Sequence, residues 1–413
     1  MKTGNNEFLF YKDWDEGLTG SVTALAGRLA AFATEFGLSG NVWQHWLTYI
    51  LMMHDNAFTL ACERSEILPD STLMRLAERD LEVFMELFRT GEADFDENEK
   101  ILAMILDYKA PYGSKSVTEA GRRIEELSSR LAYANDIKTF ARILTEYYSK
   151  FGCGMYGLYK AFRVGRETGG TGGLELVPVT DSADVTFDDL IGYESQKKTL
   201  RDNTEAFVSG HYANNVLLYG DSGTGKSTSV HALMHEYSDR GLRLIEVSKS
   251  DRSRLPQIMS EIKKRNYRFI LFLDDLSFEE DESDYKELKA MLEGALETRS
   301  DKVLIYATSN RRHLIRETWG DRSDMEYHED VHRSDTMEEK LSLAGRFGVT
   351  IYYPKPGPQE YLEIVRMLAL RNGIELKGRE LEDAARKWEL RHGGMSGRTA
   401  SQLITWLGGT ENE

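Results

Sequence analysis

The octapeptide GDSGTGKS, at positions 220–227, combines the residue types that bind a chain of phosphates. Its glycines permit a tight turn whose backbone N–H groups approach phosphate oxygens closely, and a following helix adds the positive end of its dipole. In such a loop Lys226 reaches the β- and γ-phosphates, and Ser227 ligates Mg²⁺. The alternative is a glycine-rich turn with an idle lysine. The context favours a phosphate site, because the loop follows an apolar strand candidate, NNVLLYG, and opens a helical segment, STSVHALMHEYS.

Two acidic residues follow the second apolar run after this loop. RFILFL leads directly into Asp274 and Asp275. Asp274 is predicted to hold Mg²⁺, and Asp275 stands where a residue would polarise the attacking water. Asp275 could instead support a metal ligand or cap a helix, since Asp is one methylene shorter than Glu.

Three further polar residues complete the candidate site. Asn310 ends the strand candidate VLIYATSN and could orient water through its amide; the alternative is an asparagine in a turn. Arg346, in KLSLAGRFG, could reach the γ-phosphate of a neighbouring subunit, or it could be a surface arginine near a helix C-terminus. Arg398, in the first turn of the last predicted helix, could touch phosphate or be solvated.

A fourth motif suggests different chemistry. His328-Glu329-Asp330-Val331-His332 has the H-E-x-x-H spacing that places two zinc-binding imidazoles on one helix face. However, Asp335 with Glu338 has the pattern of a new helix start, which leaves too little room for a continuous zinc-binding helix. No third ligand in a plausible position is evident in the sequence. We therefore expect a polar connector here rather than a zinc peptidase.

The elements that must position these residues alternate between strand and helix. Apolar strand candidates at NNVLLYG, LRLIEVS, RFILFLDD, VLIYATSN and VTIYY are separated by helical segments, which predicts a parallel sheet flanked by helices over residues 185–353. Residues 354–413 read as a small helical bundle, with a helix starting near Pro358 and two more around 379–390 and 396–407. RETGGTGG begins a predicted glycine-rich linker over 166–184.

Residues 1–165 are predicted to form an all-helical domain. Val22, Leu25, Leu29, Phe32 and Phe36 recur at helical spacing. NVWQHWLTYILMMHDNAF is apolar nearly all round, which is typical of a buried helix; its two histidines are expected in the core or at its boundary. We expect this domain to bind a partner.

The bulk composition restricts the class of protein. With 413 residues, 41% hydrophobic, the chain is long enough for two or three domains. A net charge of −16 does not favour non-specific nucleic-acid binding, although a local basic patch could still bind DNA. The acidic cluster in residues 51–100 fits a solvated face better than an acidic docking site. We expect a soluble cytoplasmic protein with no membrane partner. The chain has only two cysteines, no signal-peptide pattern and no long apolar run.

The ordered motifs resemble the AAA+ P-loop ATPase module over about residues 185–407. GDSGTGKS is similar to Walker A, FLDD to Walker B, Asn310 to sensor 1, Arg346 to the arginine finger and Arg398 to sensor 2. FDDLIGYESQKKTL resembles the family's leading segment, which implies that Ile191, Gly192 and Tyr193 lie near the adenine. The resemblance implies an α/β P-loop NTPase fold with a helical lid, use of ATP and Mg²⁺, and assembly into homo-oligomers. It implies a nucleotide site formed by these loop residues: Gly220, Asp221, Ser222, Gly223, Thr224, Gly225, Lys226, Ser227 and Thr228.

TSNRRHLI, EEKLSLAGRFG and FGCGMYGLYKAFRV further resemble a bacterial family of predicted ATPases whose core is similar to replication initiators and helicase loaders. The Asp274-Asp275 pair departs from the usual Asp-Glu, which bears on the rate of hydrolysis more than on ATP binding. The first hypothesis is an ATP-hydrolysing machine that remodels a protein or nucleoprotein partner. The others are an ATP-gated switch or scaffold that hydrolyses slowly or not at all, a helicase-loader-like DNA-associated ATPase, and the zinc peptidase.

Overall fold

The computed structural model divides the chain into two compact units, Met1–Tyr159 and Lys160–Glu413. It describes residues 8–12, 21–64, 71–91, 100–110, 117–165, 174–180, 185–276, 288, 292, 301–310, 345–376 and 378–410. The glycine-rich RETGGTGG, the His328–His332 motif and the predicted helix start at Asp335 lie outside these residues.

The described part of the first unit is helical, as predicted. Its helices are α1 Val22–Phe36, α2 Val42–Met53, α3 Ala57–Arg64, α4 Thr72–Phe88, α5 Lys100–Leu106, α6 Glu119–Ala132, α7 Ile137–Phe151 and α8 Gly154–Leu158. Five of them have an N-cap residue whose side chain accepts a hydrogen bond from a backbone N–H in the first turn. These N-cap residues are Ser21, Asn41, Ser71, Thr118 and Asp136. One buried cluster, which includes Leu29, Leu47, Phe84 and Phe140, forms the core.

The second unit contains a seven-stranded sheet. Its strands are β1 Ala161–Val164, β2 Leu176–Pro178, β3 Val216–Gly220, β4 Leu242–Glu246, β5 Arg268–Leu273, β6 Val303–Ser309 and β7 Val349–Tyr353. The strand order is β2-β1-β4-β5-β6-β3-β7. Every pair is parallel except β1–β2. The central strands are near-continuous apolar runs because both faces of a parallel sheet are covered, and the predicted α/β fold is confirmed.

The boundary between the units differs from the expected position. Residues 161–164, which the sequence placed at the end of the helical domain, form β1 and pair with β4. Residues 176–178, predicted as linker, form β2 and pair with β1. Strands of four and three residues are too short to show a period, and their pairing depends on distant partners.

Helices of the second unit cover the sheet and build the lid. They are α9 Glu194–Val208, α10 Lys226–Tyr237, α11 Leu255–Ile262, α12 Pro358–Arg371, α13 Arg379–Arg391 and α14 Gly397–Thr410. The last three begin within one residue of the predicted starts of the lid helices, and the last two end within three residues of their predicted ends. They share a separate buried cluster, which includes Tyr361, Val365, Leu381 and Leu403.

Two smaller expectations can be compared with the structure. Cys62 and Cys153 are buried, and His45 is buried in α2. Among the described helices, none has the length and apolar character needed to cross a membrane.

Candidate nucleotide site

Sheet order brings the main candidate residues to one edge. β5, β6 and β3 are neighbours in the sheet, and their carboxyl ends lead into Asp274, Asn310 and the loop that starts at Gly220. Since carboxyl ends of parallel strands meet at the same edge, where open α/β sheets bind ligands, the candidate metal acid, the candidate water-orienting amide and the phosphate loop lie together.

The loop fits closely between three neighbours, which explains its glycines. A Cβ on Gly220, whose φ is 138°, would lie 2.1 Å from the carbonyl oxygen of Tyr353. A Cβ on Gly225, whose φ is 91°, would lie 2.2 Å from Cδ1 of Leu190. The loop is thus backed by the end of β7 on one side and by the segment before α9 on another. Gly223 faces the lid, where its carbonyl accepts a 3.3 Å hydrogen bond from the backbone N–H of Arg398.

Lys226 begins α10 and is nearly buried. Its ammonium donates hydrogen bonds to the carbonyl oxygens of Gly220 at 3.0 Å and Asp221 at 2.6 Å, and to Oδ1 of Asn310 at 2.9 Å. Burial lowers the pKa of Lys226, and the nearby carboxylates of Asp221, Asp274 and others oppose that effect. The lysine therefore directs a cation into the loop, where it can bind phosphate oxygens.

Asp274 accepts hydrogen bonds from two hydroxyl groups. Ser227 Oγ donates to Asp274 Oδ1 at 2.6 Å, and Thr308 Oγ1 donates to the same oxygen at 2.5 Å. A serine hydroxyl beside a carboxylate supplies hard oxygen ligands of the kind that Mg²⁺ takes. The donor set therefore fits a magnesium ion held by Ser227 and Asp274.

Asp275 adopts an uncommon backbone conformation. Its φ is 50°, in the left-handed region that Asp and Asn tolerate better than other side-chain-bearing residues. Its N–H donates to Thr308 Oγ1 at 2.9 Å, and its Oδ1 accepts from Nδ2 of Asn310 at 2.8 Å. Asn310 thus contacts both Lys226 and Asp275.

The segment before α9 lies between sheet and lid. Tyr193, with φ 62°, donates its hydroxyl to the carbonyl oxygen of Pro354 at 2.9 Å. Ile191 packs against the lid core. A Cβ on Gly192 would meet nothing within 4 Å, so the backbone is open on that side. Arg371 of α12 donates to the carbonyl oxygen of Asp188 at 2.6 Å, which ties this segment to the lid.

The two predicted arginines occupy different places. Arg398 lies beside the phosphate loop, since its Cβ would be 3.1 Å from a Cβ on Gly223. Arg346 is exposed and lies three residues before β7 begins. Its near neighbour in the chain, Gly348, lies against Asn214, since a Cβ added to Gly348 would contact that side chain. Asn214 precedes β3, so Arg346 is at the amino edge of the sheet, about 15 Å from its own phosphate loop by strand length. The fold does not bring Arg346 to the other candidate residues of its own chain.

Sequence reasoning missed Thr308 and Leu190. Threonine is common in strands and carries no motif here; its position two residues before Asn310, in a strand adjacent to the acidic pair, is the signal that could have identified it. Within the described ranges, no group of three or more His, Cys, Asp and Glu side chains is arranged to hold a metal ion. The zinc-site hypothesis rests on residues outside those ranges.

Comparison with known proteins gives one family match and several distant relatives. A family described as "Protein of unknown function (DUF815)" matches residues 158–411, so most of the helical unit lies outside the match. The chain is 25% identical over 244 residues to the proteasome-activating nucleotidase of Pyrococcus horikoshii, covering 56% of this chain and 57% of that protein. It is 24% identical over 229 residues to proteasome-activating nucleotidase 2 of Haloferax volcanii, covering 51% and 53%. The chain thus spans about half the length of the curated relatives it matches.

Two solved structures are similar to part of this chain. The RuvB Holliday junction branch migration motor of Thermotoga maritima has a TM-score of 0.37 and 18% identity, over 54% of this chain and 63% of that chain. The FIGL-1 AAA domain in complex with ADP has a TM-score of 0.38 and 21% identity, over 54% and 72%. The family match covers more than half of the chain, and the motifs lie on the sheet in the order expected of AAA+ proteins. The chain belongs to the DUF815 family, and its second unit contains an AAA+ P-loop module.

Proposed function

We propose that the protein binds ATP and hydrolyses it to ADP and phosphate. The observation that supports this most is the hydrogen-bonded set at the sheet edge, where Asn310 contacts both Lys226 and Asp275. A lysine for phosphate, an acid for the water and an amide between them are the groups that this reaction needs. The matches to proteasome-activating nucleotidases support the same reaction class.

The loop would bind the phosphates of ATP. Its glycines expose backbone N–H groups, and the first turn of α10 places Lys226, Ser227 and Thr228 beside them. Ile191, Gly192 and Tyr193 would flank the adenine between sheet and lid. Mg²⁺ held by Ser227 and Asp274 would neutralise charge on the phosphate oxygens.

Asp275 would draw a proton from the attacking water, and Asn310 would fix the direction of attack. The left-handed backbone of Asp275 and its hydrogen bond from Asn310 hold the carboxylate in one orientation. A shorter acid than glutamate reaches less far, so we expect slow turnover. Arg398, next to Gly223, would contact phosphate from the lid side.

Arg346 would act on a neighbouring subunit. It is exposed at the amino edge of the sheet, far from its own phosphate loop, so only another copy of the chain could present it to a γ-phosphate. Arginines supplied in this way are worth about 10³–10⁵ in rate in other phosphoryl-transfer systems. The proposal therefore includes an ATP-dependent homo-oligomer.

The helical unit would bind the partner that ATP turnover remodels. The family match leaves most of this unit uncovered, and the matched relatives are named for activating the proteasome. We propose a protein partner, because the net charge of −16 disfavours nucleic acid. A second candidate is a slow or non-hydrolysing ATP-gated switch, which the aspartate at position 275 favours.

The test combines ATP binding with phosphate release over a range of protein concentrations. Wild-type protein should bind ATP with Mg²⁺, and its turnover per subunit should rise with concentration. Arg346→Ala should bind ATP but lose that rise, whereas Arg240→Ala, which removes a surface arginine paired with Glu205, should behave as wild type. ATP binding without phosphate release, unchanged by Asp275→Glu, would support the switch instead. Turnover unaffected by Arg346→Ala would remove the role of the neighbouring subunit.

A further inference from the structure

Thr308 contacts three successive residues at the end of β5. Its hydroxyl donates to Asp274 Oδ1 at 2.5 Å and accepts from the N–H of Asp275 at 2.9 Å. Its backbone carbonyl accepts from the N–H of Leu276 at 2.6 Å. Thr308 is buried, 2% exposed. Its side chain therefore holds both acidic residues, and its backbone carbonyl holds the residue that follows them.

The register of the sheet creates this relationship. β5 and β6 are parallel, with Leu273 opposite Ala307. Asp274 directly follows Leu273, and Thr308 directly follows Ala307, so the two residues come next in the same register. Because both side chains lie at the carboxyl edge, a β-branched hydroxyl residue on β6 can reach the acidic pair with little rotamer freedom.

The hydroxyl of Thr308 donates one hydrogen bond and accepts another. A threonine hydroxyl has a single proton, which goes to Asp274, and a lone pair accepts from Asp275. That assignment leaves Asp274 Oδ1 with two hydroxyl donors, Ser227 and Thr308. The N–H accepted by Thr308 belongs to the residue with φ 50°, so the same bond holds Asp275 in its left-handed conformation.

We propose that Thr308 is a positioning residue that assigns the two acids their separate tasks. By orienting Asp274 toward Ser227 it prepares the metal site, and by holding the backbone of Asp275 it aims that carboxylate at Asn310. The inference rests on the proposed function and deepens it. Groups that orient a metal ligand commonly contribute 10–100-fold to metal affinity or activity.

The test compares Thr308→Val, Thr308→Ser and Thr204→Val. Valine keeps the shape and removes the hydroxyl, and serine restores it. Thr204 is a matched control, because it is also a buried threonine. Its hydroxyl is hydrogen-bonded to the hydroxyl of Tyr306, which lies two residues before Thr308 on β6. Nucleotide binding is measured by fluorescent ATP in EDTA and across a Mg²⁺ titration, and turnover by phosphate release. Thermal melting reports the stability of each variant.

Thr308→Val should bind nucleotide in EDTA as wild type does. It should need about 10–100-fold more Mg²⁺ for half-maximal tightening, and its kcat should fall by a similar factor with little change in KM. Thr308→Ser should recover most of both. Thr204→Val should lower the melting temperature without moving the Mg²⁺ requirement. If Thr308→Val does not fold, Thr308→Ala replaces it in the same comparison.

The inference is overturned if the hydroxyl-free variant keeps the wild-type Mg²⁺ requirement and kcat, or if the Thr204 variant shifts both equally. It is also overturned if serine fails to recover either quantity. Wild-type protein that binds ATP with Mg²⁺ but releases no phosphate would refute the proposed hydrolysis alone, since the Mg²⁺ titration still measures the role of Thr308. Wild-type protein that binds no nucleotide would contradict both.

Discussion

Nδ2 of Asn310 donates a 2.8 Å hydrogen bond to Oδ1 of Asp275. The other end of the same amide accepts from Lys226 at 2.9 Å. An amide has both a donor and an acceptor, so it can satisfy a carboxylate and an ammonium at once. Asn310 therefore sets the separation between the candidate phosphate-binding cation and the candidate base.

Replacing Asn310 by alanine should slow ATP turnover far more than it weakens ATP binding. The carboxylate of Asp275 loses its donor, so its orientation toward water is no longer fixed, and we expect a fall in kcat of about 100-fold. Phosphate-release kinetics measure it. Asn203→Ala, which removes an amide that bonds the carbonyl of Asn214 and the Tyr306 hydroxyl, should leave kcat near that of wild type. Equal loss in both variants would count against a specific role for Asn310.

Asp275→Asn should separate binding from hydrolysis. Asparagine tolerates the left-handed backbone that this position adopts, and its amide oxygen can still accept from Asn310. The turn should therefore persist while the proton acceptor is lost, with kcat falling about 10²–10⁴-fold at unchanged ATP affinity. Parallel measurements of affinity and single-turnover rate check this. A variant that hydrolyses ATP at the wild-type rate would show that Asp275 is not the base.

Gly220→Ala should destabilise the second unit and impair nucleotide binding. The added Cβ would lie 2.1 Å from the carbonyl of Tyr353, so β7 or the phosphate loop must move, and we expect a loss of at least about 1–3 kcal/mol. Gly241→Ala is the control, since Gly241 also has a positive φ but open space around it. It should show only backbone strain, about 1–2 kcal/mol, and normal ATP affinity. The reverse ranking in thermal melts and binding assays would argue against this packing.

The helical unit should lose stability in mild acid through His45. Burial lowers the pKa of this imidazole from 6.5 to about 4, so the unfolded chain takes up a proton below pH 6.5 that the folded state refuses. Its free energy of unfolding should fall as pH drops from 6.5 towards 4, by about 2 kcal/mol at pH 5 from this group. Hydrogen-exchange protection of α2 amides at pH 5 and 7 measures the change.

His45→Leu supplies the comparison for that experiment. Leucine cannot be protonated, so protection of α2 in this variant should depend less on pH than it does in wild type. Parallel loss of protection in the two proteins would assign the acid sensitivity to other groups.

The central strands were predictable because each is a mostly apolar run between helical segments. β1 and β2 were not, since AFRV and LVP are too short to show a strand pattern. They form strands because β1 pairs with β4 and β2 pairs with β1. The phosphate loop was predictable from its glycines and lysine. Thr308 was not, because its role depends on the register between β5 and β6, and the left-handed turn at Asp275 depends on that same contact.

ATP hydrolysis at this site is tested most directly by steady-state phosphate release from wild-type protein and from Lys226→Ala, at equal protein, ATP and Mg²⁺ concentrations. Lys226 supplies the buried cation of the loop. Wild type should release phosphate slowly and continuously, and release by the variant should fall to background. Equal release by both proteins, or none by wild type at any protein concentration, would contradict ATP hydrolysis at this site.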